Sequence, residues 1–130
     1  YDDYAHHPTE IQATLSSVKK ITKDFIIVFQ PHRFSRTKFL MSEFIKVLSK
    51  IKKLYIVKTY SAGEKKIKGA TGKDLANNIS KTQKNVVYLE NEKKLYKYLI
   101  KDTQKKSILV FMGAGSITKI AYKFVNKNNE

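Results

Sequence analysis

The chain has 130 residues and a formal net charge of +15, from 26 basic and 11 acidic residues, and this length suits one domain with its own core. Its 42% hydrophobic content excludes a disordered chain, and no apolar run approaches the roughly 20 residues of a membrane-spanning helix. The lack of cysteine excludes disulfides and thiolate metal sites and is compatible with a reducing cytoplasm.

Hydrophobic periodicity predicts helices that alternate with short apolar strands. The helices are expected over residues 8–22, 37–51, 73–80, 92–101 and 117–125, and the strands over residues 25–29, 54–57, 86–89 and 107–112. This alternation predicts an α/β fold, a Rossmann-like three-layer domain in which helices flank a mostly parallel sheet.

Two helices carry explicit predictions of which side chains face the core. In 37–51 the apolar face includes Phe39 and Phe44, and in 92–101 it includes Leu95, Leu99 and Ile100. The polar tail 126–130 is expected to fray. Residues 1–130 are expected to form a single domain of a larger protein, because no internal boundary is visible and the chain opens without Met, inside a motif.

Three polar loops directly follow predicted strands. QPHRFSRT follows FIIVF, TYSAGE follows LYIVK, and GAGS follows SILVFM. In open α/β sheets, ligands bind at the carboxyl ends of the strands, so we expect these loops to meet at one functional edge.

The loop QPHRFSRT holds both arginines of the chain, Arg33 and Arg36, with His32 and Ser35 beside them. Arginine offers a planar fork that suits carboxylate or phosphate, and lysine does not. A chain with 26 basic residues that uses arginine only here therefore indicates an anion site. The alternative for each arginine is an ordinary pair with a surface acid.

The opening segment DDYAHHPTE holds both remaining histidines, His6 and His7. With Asp2 and Asp3 they could ligate a metal, although no further His or Cys completes a closed zinc site. His7 could instead cap the helix that starts at Pro8. The loop GAGS could cradle an anion on backbone N–H groups or could be only a packing turn.

The high positive charge is compatible with nucleic-acid binding. However, the lysines are spread along the chain and no RNA- or DNA-binding signature accompanies them. An AT-rich genome encodes many lysines at surface positions that tolerate substitution, and we favour this explanation of the positive charge.

Four motifs, in this order and spacing, resemble the C-terminal domain of the Mur ligases, and within them the UDP-N-acetylmuramate–L-alanine ligases. They are DDYAHHPTEI, VFQPHRFSRT, YSAGE with the later GATG, and MGAGSITKIA. Ligases that recycle cell-wall tripeptide share a similar first motif but do not normally carry QPHR-x-[ST]-RT. The second motif therefore favours the L-alanine branch.

The resemblance implies a cytoplasmic three-domain enzyme, with an N-terminal domain for the UDP-sugar and a central ATPase domain. Using ATP and Mg²⁺, held mainly by the central domain, it joins L-alanine to UDP-N-acetylmuramate through an acyl phosphate in peptidoglycan synthesis. The implied partners are these substrates and the other two domains, with no nucleic acid and no membrane. Residues 1–130 contain no P-loop motif, so we expect this part alone to be inactive.

By the same resemblance, functional roles fall on three groups of residues, and none is assigned as a metal ligand. The expected catalytic residues are Arg33, Arg36 and His6. The residues expected beside the nucleotide are Asp3, Tyr4 and His7. The residues expected beside the substrates are His32, Ser35, Gly113, Ala114 and Gly115.

Two positions depart from the family pattern. Phe34 stands where tyrosine is frequent, and Ser61 where proline is more usual. Neither removes a charged group from the predicted site. The remaining alternatives are the tripeptide-recycling ligase, a stand-alone binding module of the same fold, and a nucleic-acid-binding protein.

Overall fold

The computed structural model describes residues 1–103 and 107–128. These residues form a parallel sheet between two layers of helices. In chain order the elements are β1 (Asp2–Asp3), α1 (Pro8–Ile21), β2 (Phe25–Phe29), α2 (Phe34–Phe39), α3 (Met41–Leu48), β3 (Leu54–Val57), α4 (Gly72–Ser80), β4 (Val86–Leu89), α5 (Glu92–Asp102), β5 (Ile108–Met112) and α6 (Ile117–Asn128).

The predicted fold class is confirmed. All five strands pair in parallel in the order β1-β5-β2-β3-β4. The chain moves outward in one direction from β2 to β4 and then returns to place β5 on the other side of β2. Such a reversal of strand order opens a crevice at the carboxyl ends of the strands, where ligands bind in folds of this kind.

Two apolar clusters join the helices to the sheet. Helices α1, α3 and α4 cover one face of the sheet, with Ile11, Phe44 and Leu75 fully buried. Helices α5 and α6 cover the other face around Leu95 and Phe124. The strands read as continuous apolar runs because both of their faces are buried.

The helix predicted over 37–51 is wrong in its extent. Two helices, α2 and α3, replace it, and Leu40 between them leaves the helical conformation with φ −107° and ψ 20°. Phe39 is the last residue of α2, directly before this break, and it is 86% exposed instead of facing the core. Phe44 is buried as predicted.

Three smaller predictions also need correction. Ile100 is 43% exposed, because only one stripe of α5 reaches the sheet, and Leu95 and Leu99 occupy it. Helix α6 continues through residues 126–128, which were expected to fray, whereas residues 129–130 lie outside the described part. Strand β1 was not predicted, since two aspartates are poor strand formers and only pairing with β5 makes them extended.

Candidate functional site

The parallel sheet brings the predicted loops to one edge. Residue 4 onward follows β1, residue 30 onward follows β2, and residue 113 onward follows β5. Backbone bonds connect these strand ends, from Gly113 N to Asp3 O at 3.0 Å and from Gln30 N to Met112 O at 2.9 Å. The segment after β3 joins them, because Arg33 N donates to Tyr60 O at 2.8 Å.

Four aromatic rings form a row across this edge. Tyr4 and His6 lie edge to face with centroids 5.6 Å apart, and His6 and His32 are 5.7 Å apart. His32 then stacks on Tyr60. The row thus joins the segments that follow β1, β2 and β3, and it includes two of the three histidines of the chain.

The hydrogen bonds of the two histidines define complementary tautomers. His6 Nδ1 lies 2.9 Å from the carbonyl oxygen of Tyr4, which can only accept, so Nδ1 carries the proton and Nε2 has a free lone pair when the ring is neutral. Arg36 Nη1 donates to His32 Nδ1 at 3.0 Å, so the neutral His32 carries its proton on Nε2. One ring can therefore accept a proton at Nε2 and the other can donate one.

His32 is held in its neutral form. Burial is the largest cause of its lowered pKa, and the nearby positive charge of Arg36 is the next. Both disfavour the imidazolium. His32 is therefore a hydrogen-bond donor at neutral pH and does not add a third positive charge to Arg33 and Arg36.

Arg33 has a strained backbone and an exposed side chain. Its φ is +72° and its ψ 140°, a conformation that side chains other than glycine rarely adopt. Bonds on both sides hold it there, since Arg33 N donates to Tyr60 O and Thr37 Oγ1 donates to Arg33 O at 2.9 Å. Its guanidinium makes no hydrogen bond or salt bridge with the residues that the structure describes, so its donors are available to an anion.

Glu64 ties the segment after β3 to the start of α2. Its carboxylate accepts bonds from Ser35 N at 3.0 Å and from the Ser35 hydroxyl. These bonds, first the hydroxyl and then the N–H, lower the pKa of Glu64. Glu64 thereby satisfies a free N–H at the start of α2, where Arg33 as N-cap has no side-chain capping bond.

The segment after β1 is fixed mainly by Asp3 and Glu10. Asp3 Oδ1 accepts from Ala5 N at 2.8 Å and Asp3 Oδ2 accepts from Thr14 Oγ1 at 3.2 Å. His7 is the N-cap of α1, with its Nδ1 accepting from Thr9 N at 3.2 Å, and Glu10 completes the capping box. The capping interpretation of His7 therefore matches the geometry, while its ring is exposed and its Nε2 is directed to no described partner.

The turn Gly113–Gly115 packs tightly against its neighbours. A Cβ at Gly113 would lie 3.1 Å from Gln30 O, and a Cβ at Gly115 would lie 2.4 Å from the ring of Tyr60. Gln30 is 4% exposed and holds the next residues, because its Nε2 donates to Ser116 Oγ at 3.0 Å and its Oε1 accepts from Ile117 N at 2.9 Å. This geometry is compatible with both interpretations of the turn, as a packing turn and as a backbone surface for an anion. Ala114, between the two glycines, is half-buried.

A cleft of about 280 Å³ lies next to this row, with Gln30, Tyr60, Glu90 and Ser116 among its lining residues. None of the predicted site residues lines it. They lie outside this cleft, and His32 adjoins it through its stacking contact with Tyr60. Within residues 1–103 and 107–128, no group of three or more His, Asp or Glu side chains is arranged to hold a metal ion.

The family model for the Mur ligase glutamate ligase domain matches residues 1–115. The chain belongs to the Mur ligase family. It is 42% identical over 127 residues to the UDP-N-acetylmuramate–L-alanine ligase of Carboxydothermus hydrogenoformans and 41% identical over 129 residues to that of Caldicellulosiruptor saccharolyticus. The matches cover 97% and 98% of this chain, but only 27% and 28% of those proteins.

Solved Mur ligases have the same fold as this domain. A murein peptide ligase from Psychrobacter arcticus matches 95% of the chain with a TM-score of 0.67 at 17% identity, over 26% of its own length. MurF from Acinetobacter baumannii matches 95% of the chain with a TM-score of 0.58 at 13% identity, over 27% of its own length. At such identities the likeness concerns the fold alone.

Sequence reasoning missed several residues that shape this edge. Tyr60 and Glu64 were seen only as part of a motif, and Gln30 and Ser116 received no role. Their signal is position: Gln30 is the first polar residue after the apolar run FIIVF, and the other three follow β3 or β5. A polar side chain directly after a buried parallel strand is therefore a candidate site residue even when it carries no charge.

Proposed function

We propose that the full-length protein joins L-alanine to UDP-N-acetylmuramate, with ATP and Mg²⁺, in peptidoglycan precursor synthesis. The observation that carries this proposal is the meeting of His6, His32, Arg33 and Arg36 at one sheet edge, in a chain 42% identical to a ligase of that name. The chain spans about 27% of that relative, so the UDP-sugar and ATPase domains are proposed to lie elsewhere in the parent.

The reaction needs activation of a carboxylate, which is a poor electrophile. Transfer of the γ-phosphoryl group of ATP to the lactyl carboxylate gives ADP and an acyl phosphate. The alanine amine then attacks the acyl carbon, phosphate leaves, and the amine loses a proton. Bound Mg²⁺ would offset negative charge on the phosphoryl group, and its ligands are proposed to lie mainly in the central domain.

Arg33 and Arg36 suit the anionic oxygens of this reaction. The guanidinium of Arg33 makes no hydrogen bond or salt bridge with the described residues, although its charge helps to lower the pKa of Glu64, and Arg36 keeps further N–H groups besides the one donated to His32. Forks of this kind bind carboxylate and phosphate oxygens with two parallel bonds. We assign them to the substrate carboxylate and the charge that develops on its phosphoryl group.

His6 and His32 have different roles in this proposal. The free Nε2 lone pair of His6 would accept the proton that the alanine ammonium must lose before it attacks. The Nε2–H of His32 would donate to a substrate oxygen, and Ser35 would support Arg33 and Arg36 from the start of α2. Gly113, Ala114 and Gly115 would present backbone to the incoming amino acid.

The nucleotide would be met by the segment after β1. Each carboxylate oxygen of Asp3 accepts one described bond and keeps room for a second, which a ribose hydroxyl can fill. Tyr4 is 69% exposed and offers a ring face for stacking, and His7 is exposed beside it. We place the reaction in the cytoplasm, where ATP is available, and expect residues 1–130 alone to be inactive.

Phosphate release by the full-length parent tests this proposal. With ATP, Mg²⁺ and UDP-N-acetylmuramate, release is expected only when L-alanine is added. Release that depends instead on the cell-wall tripeptide would assign the protein to the recycling ligases. No release with either amine would overturn the proposal and favour a binding module.

A further inference from the structure

The lysines of this protein are distributed unequally between the two helical layers. Helices α5 and α6 carry seven lysines and two carboxylates, whereas α1, α3 and α4 on the opposite face carry four lysines and three carboxylates. All seven lysines of α5 and α6 are exposed. Genome composition alone would enrich both layers alike, so it does not explain this surplus.

The two helices form one continuous surface, called the basic face here and defined as the exposed side chains of α5 (Glu92–Asp102) and α6 (Ile117–Asn128). Tyr96 of α5 packs against Phe124 of α6 with ring centroids 5.8 Å apart, and Lys123 lies 3.7 Å from Glu92. The other carboxylate, Asp102, is paired with Lys53 at 2.6 Å. Both acids are therefore already neutralised by lysine.

Exposed apolar side chains lie on the same two helices. Tyr98 is 45% exposed, Ile100 43%, Tyr122 71% and Val125 52%. Lysines next to exposed tyrosine and aliphatic side chains are typical of helices that lie in the interface of an anionic bilayer, where the ammonium groups meet lipid phosphates and the apolar groups enter the headgroup region.

We propose that the basic face docks onto a bilayer that contains anionic phospholipid. Nucleic acid is the less favoured partner, because both arginines lie at the sheet edge, so this face has no planar fork to read base edges, and its exposed tyrosine and aliphatic side chains suit a headgroup region. The resemblance implied no membrane partner, and the segregation of the lysines is visible only once the fold shows which helices share a face. This inference does not depend on the proposed ligase activity.

Vesicle sedimentation of the 130-residue chain tests the docking. Vesicles of phosphatidylcholine with phosphatidylglycerol should bind the chain, and vesicles of phosphatidylcholine alone should not. The variant Lys93→Glu/Lys97→Glu/Lys119→Glu should weaken binding by roughly tenfold or more, because each lysine near the surface contributes separately. A matched control, Lys20→Glu/Lys46→Glu/Lys73→Glu, changes the net charge equally on the opposite layer and should bind nearly as well as the unmodified chain.

A second variant separates the contribution of the exposed apolar side chains to vesicle binding from the contribution of the lysine charges. Tyr122→Ser/Val125→Ser keeps every lysine and should weaken vesicle binding by a few fold, without changing any weak binding to homopolymer RNA. Circular dichroism of each variant verifies the fold. Three outcomes would overturn the proposal. The first is an equal loss of vesicle binding in the two triple variants, and the second is binding to neutral vesicles. The third is tighter binding to RNA than to vesicles, unchanged by the Tyr122→Ser/Val125→Ser substitutions.

Discussion

The ring of His32 is stacked on the ring of Tyr60, with centroids 5.4 Å apart and planes inclined by 18°. Tyr60 also occupies the space next to Gly115, where an added Cβ would lie 2.4 Å from the ring. Tyr60 therefore connects the histidine after β2 with the glycine turn after β5. A substitution in the glycine turn that moves Tyr60 should therefore change the environment of His32.

Gly115→Ala should displace Tyr60 from His32. Relief of so short a contact requires the ring to move, and overpacking of this kind costs about 1–3 kcal/mol of the free energy of unfolding. Chemical denaturation measures the loss, and the NMR shifts of the His32 ring report the displaced tyrosine. In a Tyr60→Ala background the same glycine change should cost little; an equal cost there would show that Tyr60 is not the obstacle.

Arg33→Gly and Arg33→Ala should separate strain from function. Both remove the guanidinium, so both should lower the proposed ligase activity of the full-length protein. Only glycine relaxes the φ of +72°, so the glycine variant should be more stable than the alanine variant by about 1 kcal/mol. Thermal unfolding of the two variants of this domain compares their stabilities directly, and equal unfolding midpoints would contradict backbone strain at Arg33.

In the proposed ligase reaction, Arg36→Ala should lower kcat/KM of the full-length protein by roughly tenfold or more, because a charged donor to developing negative charge is lost. The domain should remain folded, as Arg36 is a half-buried residue of the sheet edge and not of either apolar cluster. Lys38→Ala on the exposed side of α2 serves as the matched control. An unchanged kcat/KM in the Arg36 variant would remove this residue from the site.

His32 should titrate below the ordinary histidine pKa of 6.5, since burial and the charge of Arg36 both lower its pKa. Its contribution to stability is therefore complete above 6.5, where native and unfolded chains are both neutral, and is lost as the pH falls through the native value. NMR titration of the His32 ring measures this pKa. Arg36→Ala should move it upward, and an unmoved titration would mean that the contact at Nδ1 has no electrostatic effect.

Glu64→Gln should impair the proposed ligase activity of the full-length protein, although Glu64 is not among the residues assigned to its substrates. The amide keeps one acceptor oxygen where the carboxylate offers two to Ser35, so the start of α2 and its arginines become less ordered. We expect a lower kcat/KM, restored in part by Glu64→Asp. Ser35→Ala removes the other partner, and the double variant should be no worse than the worse single variant; additive losses would separate the two residues.

The sequence predicted most of the scaffold because each strand is a short apolar run and each helix has a clear stripe. The errors arose where tertiary contacts decide the local structure. Leu40 divides one amphipathic pattern into two helices, and pairing with β5 makes a strand from Asp2 and Asp3. Neither event has a signal in local periodicity.

The candidate site was predictable in its charged residues and less so in its supports. Arginine usage singled out residues 33 and 36, and the fold places them at the expected edge. The tautomers of His6 and His32 depend on which atoms lie nearby, which no spacing reveals. The roles assigned to these residues stay predictions until the variants above are measured.

Strand β5 lies between β1 and β2, although it follows the other four described strands in the chain. During synthesis the segments that carry His6 and His32 thus emerge early, but no sheet connects them until residues 108–112 have left the ribosome. A nascent chain that stops short of β5 would hold every charged residue of the candidate site and still lack its geometry. The sheet that supports the aromatic row is therefore complete only after β5 has paired with β1 and β2.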